Sequence, residues 1–236
     1  MEFKQFNRIA IMQPTFLPWV GYFELIRSVD LFIFLDSVQF DKRSWQQRNI
    51  IKTPKGSQWI TIPVISKGKF KQNISEVEIS SQSDYASKLI KAIKINYSKA
   101  KFYNQFSEEI FYLLNKEKKK LSLLNISLIK YFLKIWNIKT PLMKSSEINV
   151  KGVKDELLYN ILNLFNAELY ISPLGSMSYL KESKFFGDRE NQKKYNFFEY
   201  EHPVWDQLYG DFLPYCSALD LLLNVGEEGI NIITKS

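Results

Sequence analysis

The chain opens with alternating apolar and punctuated stretches that predict a strand, a loop, a helix and a second strand between Ile9 and Phe40. Ile9–Met12 is a short apolar run, and Gln13-Pro14 stops it because proline has a fixed φ and no N–H to donate. Phe16–Gly21 then crowds two aromatics, a second proline and a glycine into one turn. Tyr22–Ser28 has helical spacing, and Leu31–Leu35 is a β-rich apolar run ended by Asp36, the pattern of a buried parallel strand. In such a βαβ unit ligands sit beyond the carboxyl ends of the strands, which would place Gln13–Trp19 and Asp36–Gln39 on the functional edge.

Farther along, Arg48–Lys52 and Gln58–Val64 read as two strands joined by a turn at Thr53–Gly56, with Trp59 expected in the core. Ile74–Ile79 alternates apolar and polar residues and predicts a strand wet on one face. From Asp84 to Trp136 the spacing becomes helical, over Asp84–Ile95, Tyr103–Lys116 and Leu121–Trp136, with Asp84 and Ser107 as expected N-caps. Ser145–Ile148 predicts a short strand and Val153–Phe165 an amphipathic helix. Glu168–Ile171 predicts another strand, followed at once by the turn Ser172–Ser176. Tyr195–Tyr200 closes the strand set, and Asn224-Val225-Gly226 ends a helical stretch. The pattern predicts an α/β fold: a Rossmann-like, mostly parallel sheet with a helical insert or cap at 84–136 inside a single domain spanning 1–236.

Composition narrows the chemistry. One cysteine excludes an intrachain disulfide and fits a reducing cytoplasm, and a single histidine argues against a histidine-rich zinc site, so no metal is expected. Residues 1–8 lack a signal peptide's apolar region and no apolar run approaches membrane-spanning length, so a cytoplasmic protein without a membrane span is expected. Residues 1–140 carry 23 Lys and Arg against 11 Asp and Glu, whereas residues 141–236 carry 9 against 14. A basic first part suits an anionic ligand, although lysine-rich faces are commonly just solvated, and Lys116–Lys120 reads as an exposed helix end.

Several uncommon stretches occur together: MQPTFLPWVGYFELI, FLDSVQFDKRSWQQRN and QWITIPV near the start, YISPLGSMSYL and HPVWDQLYGDFLPYCSALDLLLNVG near the end. They resemble the WbqC-like family at both ends, with little likeness over Ser80–Val150. The resemblance implies a place in O-antigen, lipopolysaccharide or other surface-polysaccharide assembly, with attachment of glycine or another aminoacyl group to a sugar. His202, Gln207, Ser217 and Asp220 match its closing motif. A weaker likeness joins PTFLPWVGYF and VDLFIFLDSVQF to adenylate-forming nucleotidylyltransferases. There Trp19-Val20-Gly21-Tyr22 stands where the His-x-Gly-His motif would be, so the likeness implies nucleotide-binding geometry without that family's adenylyl transfer.

The candidate site residues follow from residue chemistry and placement. Asp36 and His202 are the catalytic candidates: His202 has the one side chain that titrates near neutrality, and Asp36 would orient hydroxyl or amino groups together with Gln39. A hydrogen-bonded structural histidine is the alternative. Arg43 and Arg48 offer planar forks for phosphate or carboxylate, with Lys42 beside them, and Trp19 would stack on a ring. Gln13, Tyr22, Asn49 and Gln207 complete the substrate-binding set with Ser172 and Ser176, whose turn can present N–H groups to an anion. Gln13, Trp19, Asp36, Gln39, Arg43, Arg48, Ser176 and His202 are expected to line one pocket. Cys216, in an apolar run, reads as a buried inert thiol.

The expected function is a transferase moving an aminoacyl or acyl group to an amino sugar. Its partners would be an anionic sugar nucleotide and an activated aminoacyl donor, with aminoacyl-tRNA or a carrier protein as further donors; no cofactor is assigned. The alternative is a non-catalytic nucleotide- or sugar-nucleotide-binding or scaffolding protein of the same pathway.

Overall fold

The computed structural model describes residues 5–82, 84–116, 119–187 and 192–234. In chain order its elements are β1 (Arg8–Met12), α1 (Val20–Arg27), β2 (Leu31–Phe34), β3 (Arg48–Thr53) and β4 (Gly56–Thr61). They continue with α2 (Tyr85–Tyr97), α3 (Tyr103–Lys116), α4 (Leu121–Ile135), β5 (Leu142–Lys144), α5 (Asp155–Leu164) and β6 (Leu169–Pro173). The last are α6 (Met177–Lys181), β7 (Lys194–Phe198), α7 (Ala218–Val225) and α8 (Gly229–Ile233). These sort into two compact units. The first takes residues 5–13, Glu24–Ser37 and Lys139–Tyr200; the second takes Pro14–Phe23, Val38–Ile138 and the chain from Glu201 onward.

The first unit is a parallel sheet in the order β5-β2-β1-β6-β7. β1 sits at its centre, in register with β2 from Ile9 opposite Leu31 to Met12 opposite Phe34, and with β6 on its other side. Both neighbours and both faces take its side chains out of water, which is why Ile9, Ala10 and Ile11 form an unbroken apolar run and why Leu31–Phe34 has no polar member. The fold is therefore the α/β class that the sequence predicts. One local assignment changes in this unit. Ser145–Glu147 is a 3₁₀ turn, and the short strand β5 lies just before it. The reason is Asp36, which draws Ser145 and Ser146 out of extended geometry. Its Oδ1 accepts from Ser146 N–H at 2.8 Å and Ser145 Oγ at 3.2 Å, and its Oδ2 accepts from Ser146 Oγ at 2.8 Å. Asp36 and Ser37 N–H groups donate back to Ser145 Oγ at 3.0 Å each.

The second unit combines the β3–β4 hairpin with α2, α3, α4, α7 and α8. Asp84 caps α2 by accepting from Ser87 N–H at 3.1 Å. Ser107 is no cap: it lies inside α3 and is buried. The alternating Ile74–Ile79 segment starts as a 3₁₀ turn at Ile74–Glu76, where Asn73 and Glu76 form a capping box, so Ile74 and Val77 reach the core without a strand. Glu117 and Lys118 of the predicted lysine-rich helix end lie outside the described residues; Lys120 pairs with Glu78 at 3.7 Å. Gly226 ends α7 at φ 76°, and a Cβ there would meet the Phe102 ring at 2.9 Å, so both backbone and space demand glycine.

Buried amides hold the loops of this unit. Asn125 Nδ2 in α4 donates to the Pro14 and Gln46 carbonyls at 3.0 and 2.8 Å. Among the described residues no helix is long and apolar enough to cross a membrane.

Replacing Asp36 by Ala removes a charged acceptor from a buried site and strands its serine donors. Urea unfolding should show a loss of about 2–3 kcal/mol, whereas Ser37→Ala, at a half-buried neighbour, should cost less.

Candidate functional site

In the first unit the chain runs from β1 to β2 to β5 in one direction across the sheet, then reverses to β6 and β7. The reversal falls between β1 and β6, the position where the carboxyl ends of an open parallel sheet leave a crevice. Gln13 follows β1 there, and Ser172 is the next-to-last residue of β6. Ser176 Oγ donates to the Pro173 carbonyl at 2.6 Å and is hydrogen-bonded to Ser172 Oγ, which fixes the turn after β6. Both hydroxyls are buried, so they shape this loop rather than project from it. Asp36 lies beyond β2 on the same edge with both carboxylate oxygens already accepting hydrogen bonds. The structure thus brings Gln13, Asp36, Ser172 and Ser176 to one sheet edge.

The remaining candidates belong to the second unit, where several serve the fold itself. Tyr22 is buried, and burial drives its hydroxyl well above the ordinary tyrosine range, so it stays a neutral phenol. Asn49 Nδ2 donates to the Phe16 and Leu17 carbonyls at 3.1 and 2.6 Å, holding the turn in which Leu17 takes a φ of 42°. Gln207 clasps Leu213 through both ends of its amide, donating at 3.1 Å and accepting at 2.8 Å. Gln39 Nε2 donates to the Phe70 carbonyl at 2.9 Å. Their amides are committed because the loops they span have no ladder partners for their backbone groups. Lys42 and Arg43 are exposed, and Arg43 turns the chain at φ 64° while its N–H donates to Gln47 Oε1.

Trp19 and His202 do come together. Their rings lie 16° from parallel at 6.0 Å, and His202 stacks in turn with Trp205 at 5.4 Å and 25°. Tyr215 meets the imidazole edge-on at 4.7 Å, and Phe212 flanks it at 5.8 Å. The Trp-x-Gly spacing is explained here, because a Cβ on Gly21 would run into the benzo ring of Trp19. Both imidazole nitrogens face backbone: Nδ1 donates to the Pro203 carbonyl at 2.8 Å, and Nε2 accepts from Tyr215 N–H at 3.0 Å. Burial lowers the histidine pKa from its ordinary value, so the ring is neutral near pH 7. In this arrangement Nε2 receives a substrate proton only once the Tyr215 N–H withdraws.

Behind the ring stack lies a polar cluster of which the sequence singled out only Asp220 and Cys216. Asp220 is fully buried. Its carboxylate accepts from Trp205 Nε1 at 2.8 Å, Tyr97 Oη at 2.9 Å and Asn224 Nδ2 at 3.2 Å. Tyr97 Oη also accepts from Lys52 N–H at 3.0 Å. Burial raises the Asp220 pKa, against the opposing pull of those hydrogen bonds and the Lys52 charge. Lys52, itself buried, donates its Nζ to the Asp211 carbonyl at 2.5 Å. Cys216 is buried and its thiol is pushed up to about 12 by burial and then by Asp220, so it is no nucleophile at neutral pH. The hint available in the sequence was Trp205, whose indole N–H must find an acceptor once buried. Among the described residues no group of three His, Cys, Asp or Glu side chains could hold a metal ion.

Two outcomes follow. Asp220→Ala should strand the Tyr97 and Trp205 donors and cost roughly 3 kcal/mol or more in denaturant unfolding. The depressed histidine pKa gives a pH signature of defined sign. The unfolded chain takes up a proton near pH 6.5 that the folded ring refuses, so stability contributed by His202 is present above that pH and is lost on acidification below it. Midpoints measured from pH 7.5 to 5 should fall towards acid, and His202→Gln should flatten the part of the fall that begins near pH 6.5.

No solved structure matches the chain. The uncharacterized protein Rv1507c of Mycobacterium tuberculosis is 38% identical over 224 residues, covering 94% of this chain and 95% of the relative. The WbqC-like protein family is matched across residues 13–232, a span that includes the sheet edge, the ring stack and the Asp220 cluster. The chain is a member of the WbqC-like protein family.

Proposed function

We propose that the protein is a transferase of surface-glycan assembly that moves an aminoacyl or acyl group onto an amino sugar, with His202 as the proton acceptor. The surface-glycan context comes from the family resemblance. The observation that carries the chemistry is the neutral imidazole of His202, held between Trp19 and Trp205 with its Nε2 turned towards the exposed Tyr215 N–H. As the amine nitrogen bonds to the acyl carbon, the donor's acyl–oxygen or acyl–sulfur bond breaks and its alcohol, phosphate or thiol leaves. The nitrogen must shed a proton, and a base already neutral at pH 7 is ready to take it. Cys216 offers no competing covalent route, since its thiol is protonated. Opening of the Tyr215 N–H bond would then be part of substrate entry.

A second reading is favoured by a separate observation. The strand reversal between β1 and β6, with Gln13 and the Ser172–Ser176 turn beside it, suits a nucleotide or sugar nucleotide without requiring catalysis. On that reading the chain binds and presents a ligand for a partner enzyme.

Mass spectrometry of purified protein incubated with nucleotide-linked amino sugars and activated aminoacyl donors separates the two. A donor-sized mass increment on the sugar is expected. His202→Ala and His202→Gln should each lower turnover by about 10²–10⁴-fold with little change in sugar affinity; recovery in the Gln variant would mean that the ring only positions its neighbours. No product from any donor, with sugar-nucleotide binding that Gln13→Ala weakens, would leave the binding reading.

A further inference from the structure

The hairpin β3–β4 carries a surface feature that the transfer chemistry does not use. Trp45 and Trp59 are about half exposed, at 48% and 47%, with ring centroids 5.3 Å apart and planes tilted by 36°. The Arg48 guanidinium lies over the Trp59 ring at 4.2 Å. Trp59 was expected in the core, but Ile60 and Ile62 take the inward positions, so Trp59 and Thr61 face outward.

These rings are held in place from behind. In Ser44-Trp45-Gln46-Gln47-Arg48 the two glutamines point inward and are buried. Gln46 Oε1 accepts from Asp41 N–H at 3.3 Å, and Gln47 Nε2 donates to the Ile62 carbonyl at 3.2 Å. Trp45 itself is tied through its carbonyl to Phe16 N–H at 2.9 Å. A loop fixed by buried amides presents exposed indoles without further ordering cost, which is how a preorganised binding surface differs from a chance apolar patch.

Trp59 is also one wall of a cavity of about 350 Å³ between β4 and α2, shared with Gln58, Thr61, Tyr85 and Lys88. No carboxylate lines it. Among the described residues neither Arg48 nor Lys88 forms an ion pair. Asp84, one turn before Lys88, accepts from Ser87 N–H as the cap of α2. The site thus offers two half-exposed indoles, an amide and a hydroxyl, and two cations that form no ion pair among the described residues.

We propose that the Trp45–Trp59–Arg48 platform and the adjoining β4–α2 cavity bind an acidic saccharide. The apolar face of a pyranose suits an indole, Gln58 and Thr61 suit its hydroxyls, and Arg48 with Lys88 suits a carboxylate or phosphate substituent. A single-stranded nucleic acid would also stack on tryptophan, but it needs a cationic track along several phosphates. Here Lys88 lines the cavity and Arg48 lies over the Trp59 ring, two separate positions that make no continuous track. The site rests on neither the proton transfer by His202 nor the sheet-edge reading.

Calorimetric titration of the full chain with trigalacturonate, its methyl-esterified form and a short oligouridylate tests this. Trigalacturonate should bind, and the esterified form should bind at least tenfold more weakly. Trp59→Ala should abolish detectable binding. Lys88→Gln, at an exposed helix position where folding is not at stake, should weaken the acidic ligand several-fold and leave the neutral one unchanged. Absence of trigalacturonate binding at millimolar concentration, binding indifferent to Trp59→Ala and Lys88→Gln alike, or tighter Trp59-dependent binding of the oligouridylate would each overturn the proposal.

Discussion

A carboxylate deprived of water must receive its hydrogen bonds from the protein, and in the second unit that demand ties distant parts of the chain together. Asp220 on α7 receives Tyr97 from the end of α2 and Trp205 from the irregular segment before α7. Trp205 could not turn its indole N–H inward without that acceptor, and its ring then sets the plane on which His202 and Trp19 stack. The orientation of the sole histidine is thus a downstream result of one buried charge. Burial keeps the proton on the neighbouring Cys216 thiol, and Asp220 adds to that effect.

The first unit solves a similar problem at its sheet edge. Asp36 ends β2 and has its oxygens filled by Ser145 and Ser146, so a short strand can stop cleanly and still be anchored to the segment after β5. Elsewhere amides do this work: Asn49, Gln47, Asn125 and Gln207 each satisfy backbone carbonyls in segments with no regular ladder. The polar richness of the loops is therefore largely internal scaffolding. In the loop from Asp36 to Asn49 the exposed residues are Gln39, Asp41, Lys42, Arg43 and Trp45, with Arg48 half-buried.

This division explains what could be read in the sequence. β1, α1 and β2 were legible because proline, glycine and a wholly apolar strand leave few alternatives, and α3 was legible to its bounds because its apolar spacing is regular. The Ile74–Ile79 segment misled because Val77 and Ile79 alternate as in a strand, while Ile74 and Val77 stand three apart, the spacing that a 3₁₀ turn buries. Trp59 was assigned to the wrong face because the two phases of β4 carry apolar residues, and only packing distinguishes Ile60 from Trp59. For the site, residue type indicated chemistry but not direction. Asn49 and Gln207 look like ligand-binding amides until their partners are known. Lys52 and Tyr97 carry no local signal, since their role depends on Asp220 more than a hundred residues away.

Neither unit is built from one continuous stretch of chain. The parallel sheet is completed only by β7, and the Asp220 cluster only by α7. During synthesis, then, β1 emerges long before β6, its sheet neighbour, and Lys52 and Tyr97 emerge long before the carboxylate that organises them. A nascent chain must wait, with apolar strands uncovered, until β7 and α7 have left the ribosome. Contacts so remote in sequence are slow to form, which makes folding of both units dependent on β7 and α7.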